Sequence, residues 1–150
     1  MSISIKKLCL AIAMSGAVAF SLTGCSSSKD AIVMLTAKAE TGDVDSMVKL
    51  ADLYCRGGYH LDPDDQVCGM WMKRAAEKGH REAQYNLGMM FEKGVGMKEN
   101  PVEAYRWYNV SFANGYLRSG DNAQRIWEHL SPTQRADAKK LVDTGLGLNK

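Results

Sequence analysis

Residues Ala76–Gly115, AEKGHREAQYNLGMMFEKGVGMKENPVEAYRWYNVSFANG, decide the fold, because their punctuation is written a second time upstream. Gly42, Gly79 and Gly115 recur at intervals of 37 and 36 residues, each closing a helix-like apolar pattern. Before the internal loop the two copies stay in step at an offset of 37: Leu50 with Leu87, Ala51 with Gly88, Tyr54 with Phe91, Gly57 with Gly94. After it the offset is 36: Asp64 with Asn100, Cys68 with Ala104, Trp71 with Trp107, Met72 with Tyr108. The loop of the first copy is therefore one residue longer.

The residues Ala83, Leu87, Gly88, Phe91, Gly94, Gly96, Asn100, Ala104, Trp107, Tyr108 and Gly115 carry a resemblance to the Sel1-like repeat, a tetratricopeptide-like helix hairpin. The first copy departs from that pattern at Ala51, Tyr59, Cys68 and Met72. The resemblance implies an all-α fold, an α/α right-handed superhelical solenoid of hairpins with repeats at about 43–79 and 80–115. Each motif residue has a physical reason. Small residues at 88 and 104 let the two helices of a hairpin approach, while Leu87, Phe91, Trp107 and Tyr108 fill the layer between hairpins. Gly94 and Gly96 supply the positive φ that ends the first helix and turns the chain. Asn100 caps the second helix, with Pro101 at its first position, and Asp64 is the corresponding cap in the preceding unit. Asp62 and Asp65 add negative charge near that helix start, where the dipole favours it.

A single hairpin cannot bury its own apolar face, so the ends need caps. Residues 31–41 fit a lone second-type helix, with Met34, Leu35 and Ala39 in step with Trp71, Met72 and Ala76. At the other end 117–144 holds two helices. The first is a degenerate one with apolar Ala123, Ile126, Trp127 and Leu130. Ser131, Pro132 and Gln134 then write a capping-box start, followed by Ala136, Ala138, Leu141 and Val142. About seven helices are expected between residues 31 and 146, with a fraying tail from Gly147.

Residues 1–24 read as a signal peptide: Lys6 and Lys7 precede an apolar run from Leu8 to Phe20 that is short for a membrane span. Leu22, Thr23, Gly24 and Cys25 resemble the lipobox of bacterial lipoproteins, which implies palmitate and other acyl chains on Cys25. Ser26 in the next position is the type that accompanies sorting to the outer membrane, facing the periplasm. Residues 25–30 form a lipidated polar tether. With Cys9 lost and Cys25 acylated, Cys55 and Cys68 remain in an oxidising compartment, either as a disulfide or as two buried thiols.

Processing leaves 17 basic and 17 acidic side chains, so the mature chain is near neutral and carries no electrostatic footprint for nucleic acid. His60, His80 and His129 have no metal-ligand spacing. His60 beside Asp62, Asp64 and Asp65 lacks the rhythm of a calcium loop and reads as a solvated capping segment. No GxSxG, HExxH or P-loop occurs, and no metal, cofactor or catalytic residue is implied.

Binding remains. Solenoids of this type present a concave face lined by the first helices of the hairpins. Helical spacing places Asp45, Val48 and Asp52 on it from the first unit, and Glu82, Tyr85, Met89 and Glu92 from the second. Tyr85 and Met89, one turn apart, are either an apolar anchor for a partner or packing against neighbouring helices. The resemblance implies a protein-interaction module. It extends to small periplasmic lipoproteins that act as immunity proteins, neutralising phospholipase effectors of type VI secretion. The alternative within binding is a scaffold or assembly factor of an envelope machine such as a flagellar motor, a secretion apparatus or a cell-wall complex. Some cysteine-rich relatives are linked to penicillin binding and hydrolysis, but their cysteines join successive repeats, whereas Cys55 and Cys68 lie across one hairpin.

Overall fold

The computed structural model describes residues 28–58 and 61–145. The signal segment, Cys25, Tyr59, His60 and the tail from Gly147 lie outside the described residues. Among the described residues seven helices follow one another: α1 Ser28–Glu40, α2 Val44–Arg56, α3 Asp65–Glu77, α4 Arg81–Lys93, α5 Pro101–Ala113, α6 Arg118–His129 and α7 Pro132–Gly145. Among the described residues the only β pairing is a single bridge between Gly58 and Leu61. The chain is an all-α solenoid of helix hairpins, α2 with α3 and α4 with α5, closed by α1 at one end and by α6 and α7 at the other. α1 begins three residues before the expected start, inside the segment expected as tether, with Asp30 in its first turn where the helix dipole favours an acid.

The helix starts repeat as the punctuation does. Asp43 accepts from the Ser46 N–H and hydroxyl, and 37 residues on His80 accepts with Nδ1 from the Ala83 N–H at 3.1 Å. At the second helices, Asp64 Oδ1 accepts from the N–H groups of Gln66 and Val67, and Asn100 Oδ1 from those of Val102 and Glu103. Each capping side chain satisfies donors that the helix itself leaves orphaned. The loops are tied alike: the Asp64 N–H donates to Tyr54 O at 2.7 Å, and the Asn100 N–H to Phe91 O at 2.8 Å. Ser131 and Gln134 form the reciprocal capping box, Ser131 N–H to Gln134 Oε1 at 3.0 Å and Gln134 N–H to Ser131 Oγ at 3.3 Å. α6 has no side-chain cap at Leu117. The Ser119 hydroxyl there meets the Ser111 hydroxyl, which donates to Arg81 O, so three elements share one buried polar chain.

The core divides at α5. Trp107 joins Leu50, Ala51, Met72, Leu87 and Met90 in a first cluster, while Tyr108 joins Ala104, Ala123, Ile126 and Ala138 in a second. Adjacent aromatic residues thus face opposite neighbours, which is how one helix stitches two hairpins together. Gly88 is small for the sake of that second cluster: a Cβ there would come within 2.8 Å of two Tyr108 ring carbons. The first unit solves the same position differently, with Ala51 and the flexible Met72 in place of glycine and tyrosine. At Gly96, with φ +68°, a Cβ would overlap the Asp65 carbonyl, so this glycine lets the α4–α5 loop lie on the start of α3. α7 packs against α5 as well as following α6, and Ala138 is fully buried.

Candidate protein-binding face

The C-terminal halves of α2 and α4, together with Met72 of α3, leave a groove of about 280 Å³. Met72 and Met90 are the buried portion of its lining, and Met89, Val95 and Cys55 complete the apolar surface. Asp52, Arg56, Asn86 and Lys93 supply the polar positions. Asp52 and Arg56 form an exposed ion pair 3.9 Å apart, which leaves Lys93 as the further cation at the site. Thioether side chains adapt their shape to an incoming apolar group at little strain, and charged rims set register more than affinity.

Two of the seven expected residues, Asp52 and Met89, meet in this groove. Asp45 and Glu82 are exposed in the first turns of α2 and α4, and Val48 is half-buried against the first cluster. Tyr85 packs: its ring lies 5.6 Å from that of Tyr108 and 5.0 Å from that of Tyr116. Met89 also touches the second cluster, so it serves packing and groove together.

Glu92 is not directed at solvent. Its side chain is 21% exposed, Arg125 Nη1 lies 2.8 Å from Oε1, and both Arg125 Nη2 (3.0 Å) and the Tyr108 hydroxyl (2.6 Å) donate to Oε2. Burial works to raise the Glu92 carboxyl, but the hydrogen bonds from Arg125 and Tyr108 outweigh it and hold the group below the usual carboxylate range. Burial and the Glu92 charge push the Tyr108 hydroxyl well above its ordinary value. The arrangement is a clamp between α4, α5 and α6, and it removes Glu92 from the binding surface.

Cys55 and Cys68 face each other across the α2–α3 hairpin with 5.2 Å between Cα atoms, inside the range a disulfide requires, and their sulfurs meet. Cys55 occupies the position of Glu92 one unit earlier, so the two hairpins are fastened at the same level by different chemistry. Sequence reasoning missed Cys55, Arg56, Met72, Asn86, Met90, Lys93 and Val95 as groove residues. The available signal was Met72 itself, an unbranched side chain where the repeat has tyrosine. Among the described residues no three or more His, Cys, Asp or Glu side chains are grouped to hold a metal ion, and no helix is long and apolar enough to cross a membrane.

The family model described as Sel1 repeat matches residues 44–80 and 81–116. A Sel1 repeat protein from Oxalobacter formigenes is 32% identical, with 65% of this chain aligned to 72% of that one and a TM-score of 0.61. The structure of c5321, described as a protective antigen present in uropathogenic Escherichia coli strains displaying an SLR fold, is 25% identical with a TM-score of 0.73. It covers 85% of this chain and 27% of its own. Among curated proteins, chitin synthase regulatory factor 3 of Schizosaccharomyces pombe is 30% identical over 100 residues, 65% of this chain and 11% of its own length. The mouse DAP3-binding cell death enhancer 1 is 28% identical over 116 residues, 77% of this chain and 21% of its own. The chain therefore spans only a small fraction of these curated relatives.

Proposed function

This chain belongs to the Sel1 repeat family, whose repeats are protein-interaction modules, and from that premise we propose that it is a lipid-anchored, periplasm-facing protein that acts by binding one protein partner. The observation that carries this reading is the methionine-lined groove between α2 and α4, apolar inside and charged at its edge. Hydrophobic anchors seated in such pockets dominate interface energies, and the surrounding polar positions exclude the wrong partners. The names of the curated relatives point the same way, since they describe regulators and a binder of another protein. Cys25 in its lipobox supports the anchor, and a formal net charge of only +2 argues against a nucleic acid as the target.

In its sharper form the protein is an immunity factor that occludes a secreted phospholipase effector of type VI secretion. The test is crosslinked capture with the full-length chain in an envelope extract of its own strain, secretion systems induced, using wild type and Met89→Asp in parallel. Recovery of one lipase at near-equal stoichiometry by wild type alone, together with inhibition of that lipase by the purified protein, is the expected result. Recovery of motor, secretion or cell-wall components instead makes the protein a scaffold and removes the immunity reading.

A further inference from the structure

α1 leaves two adjacent large apolar side chains in water, where α3 and α5 each leave one, Met70 and Phe112. Val33 is 67% exposed and Met34 60%, and Ala37, one turn further on, is exposed as well. One unit later, at the position of Met34, Trp71 is 4% exposed and belongs to the first core cluster. The tryptophan position of each second-type helix turns toward the hairpin before it, as Trp107 does toward the first cluster. α1 has no described hairpin before it, so the same face is bare.

Three observations say what covers it. Cys25 lies three residues ahead of Ser28, where α1 begins, so a fully extended link from the acylated residue to the helix spans no more than about 10 Å. A link that short holds the start of the helix within about 10 Å of the acyl chains, at the headgroup layer. The patch consists of three small or medium side chains, far short of the ~1,200 Å² that a stable protein interface buries. Lys38 is exposed one turn beyond Met34, at the edge of the same face, where a lysine reaches headgroup phosphates while the apolar side chains enter the acyl boundary. Asp30, on the preceding turn, is exposed at the end nearest the tether.

We propose that α1 lies in the plane of the membrane interface with Val33, Met34 and Ala37 turned into it, so that lipid and helix together fix the solenoid's orientation. The proposal rests on the anchor reading above. Docked along α1, the module carries its α2–α4 groove at a set height and angle above the lipid and does not swing on a tether.

The test uses the full-length lipidated chain, purified in detergent and reconstituted in vesicles of phosphatidylethanolamine and phosphatidylglycerol. Met34→Cys and, at the far side of the fold, Ala113→Cys are labelled with an environment-sensitive fluorophore, with the wild-type chain treated identically as background. The label at position 34 should shift to the blue on reconstitution and be quenched by brominated lipid several-fold more strongly than the label at 113. Acyl mass on the protein together with solvent-like emission at both positions overturns the proposal and leaves the anchor intact. Absence of acyl mass overturns both. A blue shift that follows protein concentration and ignores lipid assigns the face to a second copy and also overturns it.

Discussion

The Tyr108 hydroxyl donates to Glu92 Oε2 at 2.6 Å while Arg125 holds both oxygens of the same carboxylate, so one half-buried acid fastens α4, α5 and α6. Replacing it tests the clamp. Glu92→Gln keeps the shape and removes the charge that both donors address. Charge-assisted hydrogen bonds contribute about 1.5–3 kcal/mol, and Arg125 is partly solvated, so a loss of about 1–2 kcal/mol is expected. Urea unfolding at neutral pH, compared with wild type, measures it.

The same clamp sets a pH dependence. The Glu92 carboxyl sits below its unfolded value near 4.5, so its contribution is fully present above that value and disappears as pH falls through the depressed folded value. The Tyr108 hydroxyl sits above its unfolded value near 10, so its contribution is present below pH 10 and declines as pH rises beyond it. Wild type and Glu92→Gln should therefore converge in melting temperature in strong acid and stay apart between about pH 5 and 9. A constant difference across the whole range would contradict the assignment.

Gly88 and Tyr108 are a matched pair, because a Cβ at 88 would press on the ring at 2.8 Å. Gly88→Ala gains up to about 1 kcal/mol in helix propensity, but the clash costs about 1–3 kcal/mol, so net destabilisation is expected. The first unit pairs alanine with methionine at these positions, and copying it by adding Tyr108→Met should relieve the clash. The double variant should be more stable than the sum of the two single changes by at least about 0.5 kcal/mol, read from a double-mutant cycle.

Cys55 and Cys68 make a third test at the other hairpin. Closing a loop at a separation of 13 residues contributes on the order of 3 kcal/mol on chain-entropy grounds. Peptide mapping without reductant should recover the 55–68 cross-link, and dithiothreitol should lower the urea midpoint of wild type while leaving the double variant Cys55→Ser, Cys68→Ser unchanged. Free thiols at both positions in protein purified without reductant would remove the bridge.

The solenoid was legible because stacking hairpins repeat the same demands at the same spacing: caps at 64 and 100, turns at 57 and 94, ring positions at 71 and 107, whereas the caps at 43 and 80 came from the structure. The binding face was less so. Helical spacing sorts Glu92 with Tyr85 and Met89, yet α6 lies outside the repeat, and neither its Arg125 nor the Tyr116 ahead of it can be placed by periodicity. Those two side chains close the second-unit end of the face, Tyr116 on Tyr85 and Arg125 on Glu92. What stays open lies between α2 and α4, where Met72 stands for the tyrosine and the pattern breaks.

That division yields the sharpest contrast between neighbouring side chains. Tyr85 packs between two rings, so Tyr85→Ala should cost about 3 kcal/mol or somewhat less for a half-buried ring, and should lower the melting temperature by several degrees. Lys93 is exposed at the groove rim and outside both core clusters, so Lys93→Glu should leave stability within about 0.5 kcal/mol of wild type. It should nevertheless slow association with the captured partner, because a reversed rim charge acts on encounter. Calorimetry on both variants, with surface-plasmon association rates for Lys93→Glu, separates packing from binding. A melting temperature unaffected by Tyr85→Ala, with partner binding lost, would move the interface off the α2–α4 groove and onto the α4–α6 surface.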